Sequence, residues 1–343
     1  MDDFQISLFQ AVGVALLLSI FFNYLIHKYS TNINFHRKET QKRLSTDFIP
    51  PFGGIACSLA FFISARLIGK ADDDFILIGL FAVFVSLLGV IDDIYNLKWY
   101  VKLIFQIFIV YYPIYYLNIF LNIESFLGFD FNNSLNFIGS TVWIIIIINA
   151  INFIDNMDGL AVVVSGSICL QVAFLSNYLS QYKITDISIL LLITLIGFFI
   201  FNYPPAKLYL GDSGSLFIGY CLGFISILFN WTPVDNTIYT SFFNPLLLFF
   251  IIPLLDLLVV ISHRIKRGVS PTTGGTDHIS HRLLARGISE VNVLVVFLLY
   301  SVSCFVFILL SIISSGLGPY IALSLLFIFF IFTFFRISKM KTL

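Results

Sequence analysis

Charged side chains are scarce in this chain. Asp, Glu, Lys and Arg make up 11% of its 343 residues, and 59% are hydrophobic. Soluble domains carry about 25% charged residues, so this composition excludes an ordinary soluble fold and predicts a membrane protein. Cysteine is also rare, and its spacing argues against a disulfide framework or a thiolate metal site. The four cysteines, all within apolar stretches, are Cys57, Cys169, Cys221 and Cys304.

Long hydrophobic runs dominate the rest of the sequence. A hydrocarbon core about 30 Å thick takes about 20 residues of helix to cross, and eleven apolar stretches approach that length. Their approximate ranges are 6–26, 51–69, 75–91, 101–119, 138–154, 160–178, 187–203, 214–230, 241–262, 291–313 and 319–337. We therefore predict an all-α polytopic bundle of about eleven transmembrane helices, with residues 1–343 forming a single integral membrane domain.

The distribution of basic residues predicts the orientation of this bundle. Cytoplasmic loops are enriched in Lys and Arg. An N-terminus outside the cell leaves only Arg66, Lys70 and Lys183, of the 19 lysines and arginines, on the outer side. We therefore expect the C-terminus inside. The net charge of zero gives no sign of a nucleic-acid partner.

In this orientation, four polar segments emerge on the cytoplasmic face. Polar groups that converge at one end of a helical bundle are typical of a functional site. The segments are DDIYNLKWYVK (92–102), NFIDNMDGLA (152–161), NYPPAKLYLGDSGS (202–215) and SHRIKRGVSPTTGGTDHISHRL (262–283).

The first two segments carry carboxylates in close spacing. Adjacent acids such as Asp92 and Asp93 can hold a metal or take a proton, although a solvated helix end would look the same. Asn152, Asp155 and Asp158 follow one another at intervals of three residues, so on a helix or tight turn their oxygens point roughly the same way. A helix cap is the alternative explanation for Asp158.

The last two segments suit phosphate groups. Asp212 lies between two glycines where a helix begins, and we expect the N–H groups of that helix start to suit a phosphate. Oxygen ligands favour magnesium or manganese over zinc. The long basic loop that contains His278, His281 and Arg282 would suit a pyrophosphate.

Five motifs in this order resemble the polyprenyl-phosphate N-acetylhexosamine-1-phosphate transferase family. They are PFGG (51–54), DDIYNLKWYVKLIFQ (92–106), NAINFIDNMDGLA (149–161), NYPPAKLYLGDSGSLFIG (202–219) and GVSPTTGGTDHISHRL (268–283). The family includes phospho-N-acetylmuramoyl-pentapeptide transferase and the enzymes that initiate O-antigen, teichoic acid and enterobacterial common antigen synthesis. The resemblance implies that a polyprenyl phosphate, such as undecaprenyl phosphate, attacks the β-phosphate of a UDP-sugar in the bacterial cytoplasmic membrane, giving polyprenyl-pyrophosphoryl-sugar and UMP.

The resemblance also implies roles for the polar residues, with magnesium, or manganese in its place, as the cofactor. The implied metal ligands are Asp212 and Asn152. The implied contacts of the nucleotide sugar are Asp155, Asp158, Asn202 and Tyr209. The implied catalytic residues beside the acceptor phosphate are Asp92, Asp93 and Lys102. The implied contacts of the sugar and the pyrophosphate are His278, His281 and Arg282.

Three places depart from the family pattern, and two other classes of protein compete with this interpretation. Before IPPFGG, many relatives have a basic residue and then a histidine, where this chain has Arg43 and Ser45. Asn156 stands where many members have glycine, and Ser280 interrupts a frequent His-x-His-His run. A secondary transporter would place acids near the membrane midplane, where only Asp256 lies, and we interpret Asp256 as the buried partner of Arg264. A magnesium-dependent membrane prenyltransferase would not need the long basic loop. The sugar, the polyprenol, the pathway and the oligomeric state stay open, with a homodimer among the states allowed.

Overall fold

The computed structural model describes residues 7–30, 49–67, 73–121, 133–229, 246–313 and 318–340. These residues form thirteen α-helices and contain no strand, so the predicted all-α fold is confirmed. The helices are α1 (Leu8–Ser30), α2 (Gly53–Leu67), α3 (Asp73–Tyr95), α4 (Trp99–Leu117), α5 (Asn133–Ile154), α6 (Leu160–Tyr178), α7 (Tyr182–Asn202), α8 (Gly211–Leu228), α9 (Leu246–Phe249), α10 (Ile251–Lys266), α11 (Ile279–Leu284), α12 (Glu290–Ile313) and α13 (Gly318–Ser338).

Eight helices of the described chain are long and apolar enough to cross a membrane, so the protein is a multi-pass membrane protein. They are α1, α3, α4, α5, α6, α7, α8 and α12. The other three predicted stretches correspond to α2, which has 15 residues, to α9 and α10, which are separated at Phe250, and to α13, which has 21 residues. The number eleven and the orientation stay predictions. Arg43, Ser45, Lys70 and the start of the 241–262 stretch lie outside the described residues.

Helix α8 is the most buried of these eight helices and packs against α2, α3 and α5. Small residues allow this close packing, as is usual between membrane helices. A Cβ atom on Gly219 would lie 2.6 Å from the Cα atom of Ile148, and one on Gly223 would lie 2.9 Å from the side chain of Ile144. All four cysteines are buried free thiols, which confirms that they pack in the core.

Two further glycines bring α2 and α3 against the start of α8. A Cβ atom on Gly54 would lie 2.0 Å from the backbone nitrogen of Gly214, and one on Gly89 would lie 2.4 Å from the Cα atom of Ser213. Hydrogen bonds of 3.0 Å also join the amides of Gly53 and Gly54 to the carbonyls of residues 209 and 210. The PFGG motif is therefore a backbone contact that fixes the beginning of α8.

The basic loop after α10 folds back into the bundle. Its short helix α11 contains three buried residues, Ile279, Ser280 and Arg282. The amide of Ile279 donates a 2.8 Å hydrogen bond to Asp256. Since Asp256 lies ten residues before the end of α10, this contact is about 15 Å along the helix from that end, at about 1.5 Å per residue.

Candidate active site

Lys102, near the start of α4, joins two carboxylates that come from different helices. Its Nζ atom lies 2.8 Å from Oδ2 of Asp92 on α3 and also contacts Oδ2 of Asp212 on α8. The second oxygen of Asp92 accepts a 2.8 Å hydrogen bond from the amide of Leu97, at the turn between α3 and α4. Three helices therefore place one ammonium and two carboxylates at a single point, as the motifs predicted.

Asn152 adds α5 to this cluster. Its Nδ2 atom donates to Oδ1 of Asp212 at 2.9 Å and to Oγ of Ser215 at 2.8 Å. Asp212 is thus held from two sides, by an ammonium and by an amide. Sequence reasoning missed Ser215, and the only signal for it was its place one turn after Asp212 in the GDSGS string.

Asp93 faces a different way from its neighbour Asp92. Its two carboxylate oxygens accept hydrogen bonds from the backbone amides of Asp212, at 3.1 Å, and of Ser213, at 3.3 Å. The expectation that these N–H groups suit a phosphate is therefore wrong, because a carboxylate of α3 already accepts from them. Asp93 fixes the start of α8, and a part for it in catalysis stays a prediction.

The predicted nucleotide contacts form a second group around the loop 203–210. Oδ2 of Asp158 accepts from the amide of Ala206 at 2.9 Å. Asn202 is buried, accepts from the amide of Gly159 at 3.0 Å and donates to the carbonyl of Leu208 at 2.9 Å. Both side chains hold this loop beside the turn after α5. Their contact with a nucleotide stays a prediction.

The other two predicted contacts of the nucleotide sugar lie beside this group. Tyr209, in the same loop, is buried and its amide donates to the carbonyl of Pro50 at 3.0 Å. Asp155 is half-buried in the turn that directly follows α5. The structure therefore brings all four of these residues to the ends of α5 and α7, and their roles toward the donor stay predictions.

The buried Asp256 binds a histidine and not the arginine that we expected. Its Oδ2 atom lies 2.8 Å from Nδ1 of His278. Arg264 instead donates two hydrogen bonds of 2.8 Å to the carboxylate of Asp277. The interpretation of Asp256 as the partner of Arg264 is therefore wrong, because the loop after α10 brings both His278 and Asp277 back to this helix.

The charge of Arg264 also determines how Asp277 ionises. Burial by itself disfavours the carboxylate, but the hydrogen bonds and the positive charge of Arg264 outweigh it, so the pKa of Asp277 lies below its usual value. This buried pair joins the end of α10 to the loop that follows it. Arg264 also donates a hydrogen bond of 2.7 Å to the carbonyl of Pro271.

Phe153 links the loop to α5. Its ring centroid lies 6.0 Å from that of His278, and the guanidinium carbon of Arg264 lies 5.5 Å from it. Next to this contact, the hydroxyl of Ser280 donates to the side-chain oxygen of Asn156. Two of the departures from the family pattern therefore contact each other, which a single sequence could not reveal.

The other two predicted residues of the loop lie beside His278. His281 is half-buried, and its ring centroid lies 5.9 Å from that of His278. Arg282 is fully buried and donates to the carbonyls of Asp277, at 3.0 Å, and Met340, at 2.6 Å. The guanidinium thus fastens the end of α13, and its contact with a pyrophosphate stays a prediction.

The cluster around Asp212 has the donor chemistry that magnesium prefers. Magnesium is usually held by one or two carboxylates together with water and substrate phosphates. Asp92 and Asp212 direct oxygens to one point, which the ammonium of Lys102 occupies, and the amide of Asn152 carries an oxygen as well as a nitrogen. Within the described residues, no group of three or more His, Cys, Asp or Glu forms a ready metal site. A magnesium ion at Asp212 therefore requires the flexible Lys102 side chain to move.

Comparison with known proteins agrees with the motifs. The model of glycosyl transferase family 4 matches residues 75–230. A Bacillus subtilis protein named "Probable undecaprenyl-phosphate N-acetylglucosaminyl 1-phosphate transferase" is 27% identical over 97% of this chain and 92% of its own length.

Two further relatives match a smaller part of the chain. A "Decaprenyl-phosphate N-acetylglucosaminephosphotransferase" of Mycobacterium leprae is 33% identical over 45% of this chain and 42% of its own length. A "Phospho-N-acetylmuramoyl-pentapeptide-transferase" of Thermotoga maritima is 29% identical over 62% of this chain and 67% of its own length. These matches confirm the resemblance that the motifs carry: the chain is similar to members of the polyprenyl-phosphate N-acetylhexosamine-1-phosphate transferase family.

Proposed function

We propose that this protein transfers an N-acetylhexosamine-1-phosphate, with UDP-N-acetylglucosamine as the first donor to test, from a UDP-sugar to a polyprenyl phosphate such as undecaprenyl phosphate. The observation that carries the proposal is the meeting of Asp92, Lys102, Asn152 and Asp212, from four helices, at one end of a multi-pass bundle. A lipid phosphate in the membrane and a water-soluble nucleotide can meet there. The names of the relatives support the same reaction.

The transfer requires one bond to form and one to break. An oxygen of the lipid phosphate attacks the β-phosphorus of the UDP-sugar, and the bond from this phosphorus to the bridging oxygen breaks, so that its electron pair leaves with UMP. A phosphate monoester has a second pKa of about 6 and is largely dianionic at neutral pH. The acceptor is therefore already nucleophilic, and we propose direct displacement without a covalent enzyme intermediate.

The site then has to position two anions in line and neutralise their charge. Asp212 and Asn152 would hold magnesium, which when bound supplies positive charge to the donor pyrophosphate. Lys102, once it leaves Asp212, neutralises the acceptor phosphate. Asp92 keeps its contact with Lys102 and thereby positions that ammonium. We place these groups on the cytoplasmic face, where nucleotide sugars are made.

The test uses purified protein with undecaprenyl phosphate, magnesium and a panel of UDP-N-acetylhexosamines. Mass spectrometry of the lipid fraction should show one sugar phosphate added to the acceptor, with UMP in the aqueous fraction. Asp212→Asn should abolish the product, with a loss on the order of 10³-fold or more, because it removes a metal ligand. Absence of any lipid-linked sugar with every donor would contradict the proposal.

Direct displacement has a separate test. A covalent sugar-phosphate enzyme would exchange labelled UMP into the UDP-sugar without any acceptor lipid, whereas direct displacement would not. We expect no exchange in preparations shown to be free of polyprenyl phosphate. Exchange at a rate close to turnover would make one of the aspartates a nucleophile and would refute this part of the proposal.

A further inference from the structure

Asp256 is a fully buried carboxylate, and both its oxygens are engaged by α11. Oδ1 accepts from the amide of Ile279 at 2.8 Å, and Oδ2 lies 2.8 Å from Nδ1 of His278. A buried charge costs free energy unless it is paired, so a carboxylate at this depth needs an explanation beyond packing.

The pairing fixes which ring nitrogen of His278 carries the hydrogen. When the carboxylate is ionised it only accepts hydrogen bonds, so Nδ1 is then the N–H donor, and in the neutral form of the ring Nε2 is left with its lone pair. A carboxylate that orients a histidine in this way also sets what the opposite nitrogen can do, as a base or as an acceptor. The hydrogen bond from the amide of Ile279 fixes the orientation of the Asp256 carboxylate relative to the His278 ring.

The surroundings of His278 connect this pair to the carboxylate cluster. Its ring lies at the edge of Phe153, and the residue before Phe153 is Asn152, whose amide binds Asp212. The other groups beside His278 are His281 and Asp277, and Asp277 is neutralised by Arg264. Of the two nearby acids, only Asp256 makes a hydrogen bond to the His278 ring in the described part of the chain.

Building on the proposed function, we propose that Asp256 is a positioning residue for the transfer. It holds His278 as its Nδ1–H tautomer, so that Nε2 can accept a hydrogen bond from a hydroxyl of the bound substrates or take the remaining proton of a monoprotonated acceptor phosphate. Asp256 itself, fully buried, does not touch the substrates. If Asp256 only anchored α11, turnover would not depend on which ring nitrogen of His278 carries the hydrogen.

Asp256→Asn separates these two roles because it keeps the shape and both hydrogen bonds. The new side-chain oxygen can still accept from Ile279, but the new NH₂ group donates to Nδ1 of His278 and moves the ring hydrogen to Nε2. We expect kcat to fall about 10²-fold or more, as for loss of an acid–base group, with the KM of the UDP-sugar and the unfolding temperature little changed. Unchanged kcat would overturn the proposal.

A double-mutant cycle shows whether Asp256 acts through His278. His278→Ala should lower kcat at least as much as Asp256→Asn, and the double variant should be no slower than His278→Ala alone. Ser280→Ala is the matched control, because it removes another hydrogen bond that holds α11 without altering Asp256 or His278. Additive losses in the cycle, or an equal loss in Ser280→Ala, would show that Asp256 only anchors the helix.

The tautomer can be measured without any turnover, which separates this proposal from the proposed function. The chain has five histidines, so ¹⁵N-histidine labelling gives few signals, and the one lost in His278→Gln identifies His278. We expect a protonated Nδ1 in the wild type and a protonated Nε2 in Asp256→Asn. If the wild type makes no lipid-linked sugar, the proposed function fails whatever the spectrum shows. A wild-type spectrum with the hydrogen on Nε2 would refute the role of Asp256.

Discussion

Replacement of Lys102 by methionine tests the cluster around Asp212 most sharply. Methionine keeps an unbranched side chain of similar length but removes the ammonium that lies between Asp92 and Asp212. The two carboxylates also interact with each other directly, so without the ammonium they would face each other at about 4 Å or less. At an effective dielectric constant near 20, two unit charges at about 4 Å repel by about 4 kcal/mol.

This repulsion has two measurable consequences. Metal-free Lys102→Met should unfold at a lower temperature than the wild type in detergent, and magnesium should raise its unfolding temperature more, since the ion replaces the missing charge and no longer displaces an ammonium. Turnover should fall about 10²- to 10³-fold even with magnesium saturating, because the charge that neutralises the acceptor is gone.

Lys98→Met is the matched control for this experiment. Lys98 is exposed immediately before α4, and its ammonium lies 5.9 Å from the ring of Tyr100, away from the carboxylates. Its replacement should change neither the effect of magnesium on unfolding nor turnover by more than a few-fold. If Lys102→Met showed the same magnesium stabilisation as the wild type, or turned over within tenfold of it, the assignment of Lys102 to this cluster would be wrong.

Three further predictions concern the frame of the site. Gly54→Ala and Gly89→Ala should lower expression and activity, because each new methyl group would lie 2.0 to 2.4 Å from backbone atoms of α8. Gly13→Ala has open space around the new methyl group and should be neutral. Unfolding curves in detergent and turnover of the three variants measure this difference. The ionised Asp277 should stabilise the fold fully above its unfolded pKa of about 3.9, and this stabilisation should be lost as the pH falls through its lower folded pKa. Asp277→Asn should therefore lose less stability than the wild type on acidification. An unchanged pH dependence of unfolding in Asp277→Asn would refute this. Asn202→Asp should destabilise the protein by about 1–3 kcal/mol, because the new carboxylate cannot donate as the amide does; equal unfolding temperatures would contradict the assigned hydrogen bond.

Apolar run length and motif order were enough to predict the helical membrane fold and the convergence of the polar motifs. Lys102, Asn152 and Asp212 meet as expected, since each motif stands where a helix begins or ends on the same side of the bundle. The interruption at Phe250 was missed because hydropathy is continuous across it, although Pro253 marks it: a proline has no N–H and is tolerated in the first turn of a helix, so it indicates a new helix start at Ile251.

Partners of individual side chains were harder to predict than the position of the motifs. Asp92 and Asp93 are adjacent in sequence, but successive helical residues point about 100° apart, so one faces Lys102 and the other the start of α8. Asp256 looked like a partner for Arg264, two turns away on the same helix. Its actual partner comes 22 residues later, from a loop that folds back, and no local pattern encodes that return.

The central claim is that a sugar phosphate, and not a sugar, moves to the lipid. The measurement uses two preparations of UDP-N-acetylglucosamine, or of the donor that the panel identifies, one labelled with ³²P in the α-phosphate and the other in the β-phosphate. Each is incubated with purified protein, undecaprenyl phosphate and magnesium. The position of the label then distinguishes transfer of a sugar phosphate from transfer of a sugar. We predict that the β-label appears in the lipid and the α-label appears only in UMP. Retention of both labels in released UDP, with an unlabelled sugar on the lipid, would contradict the account.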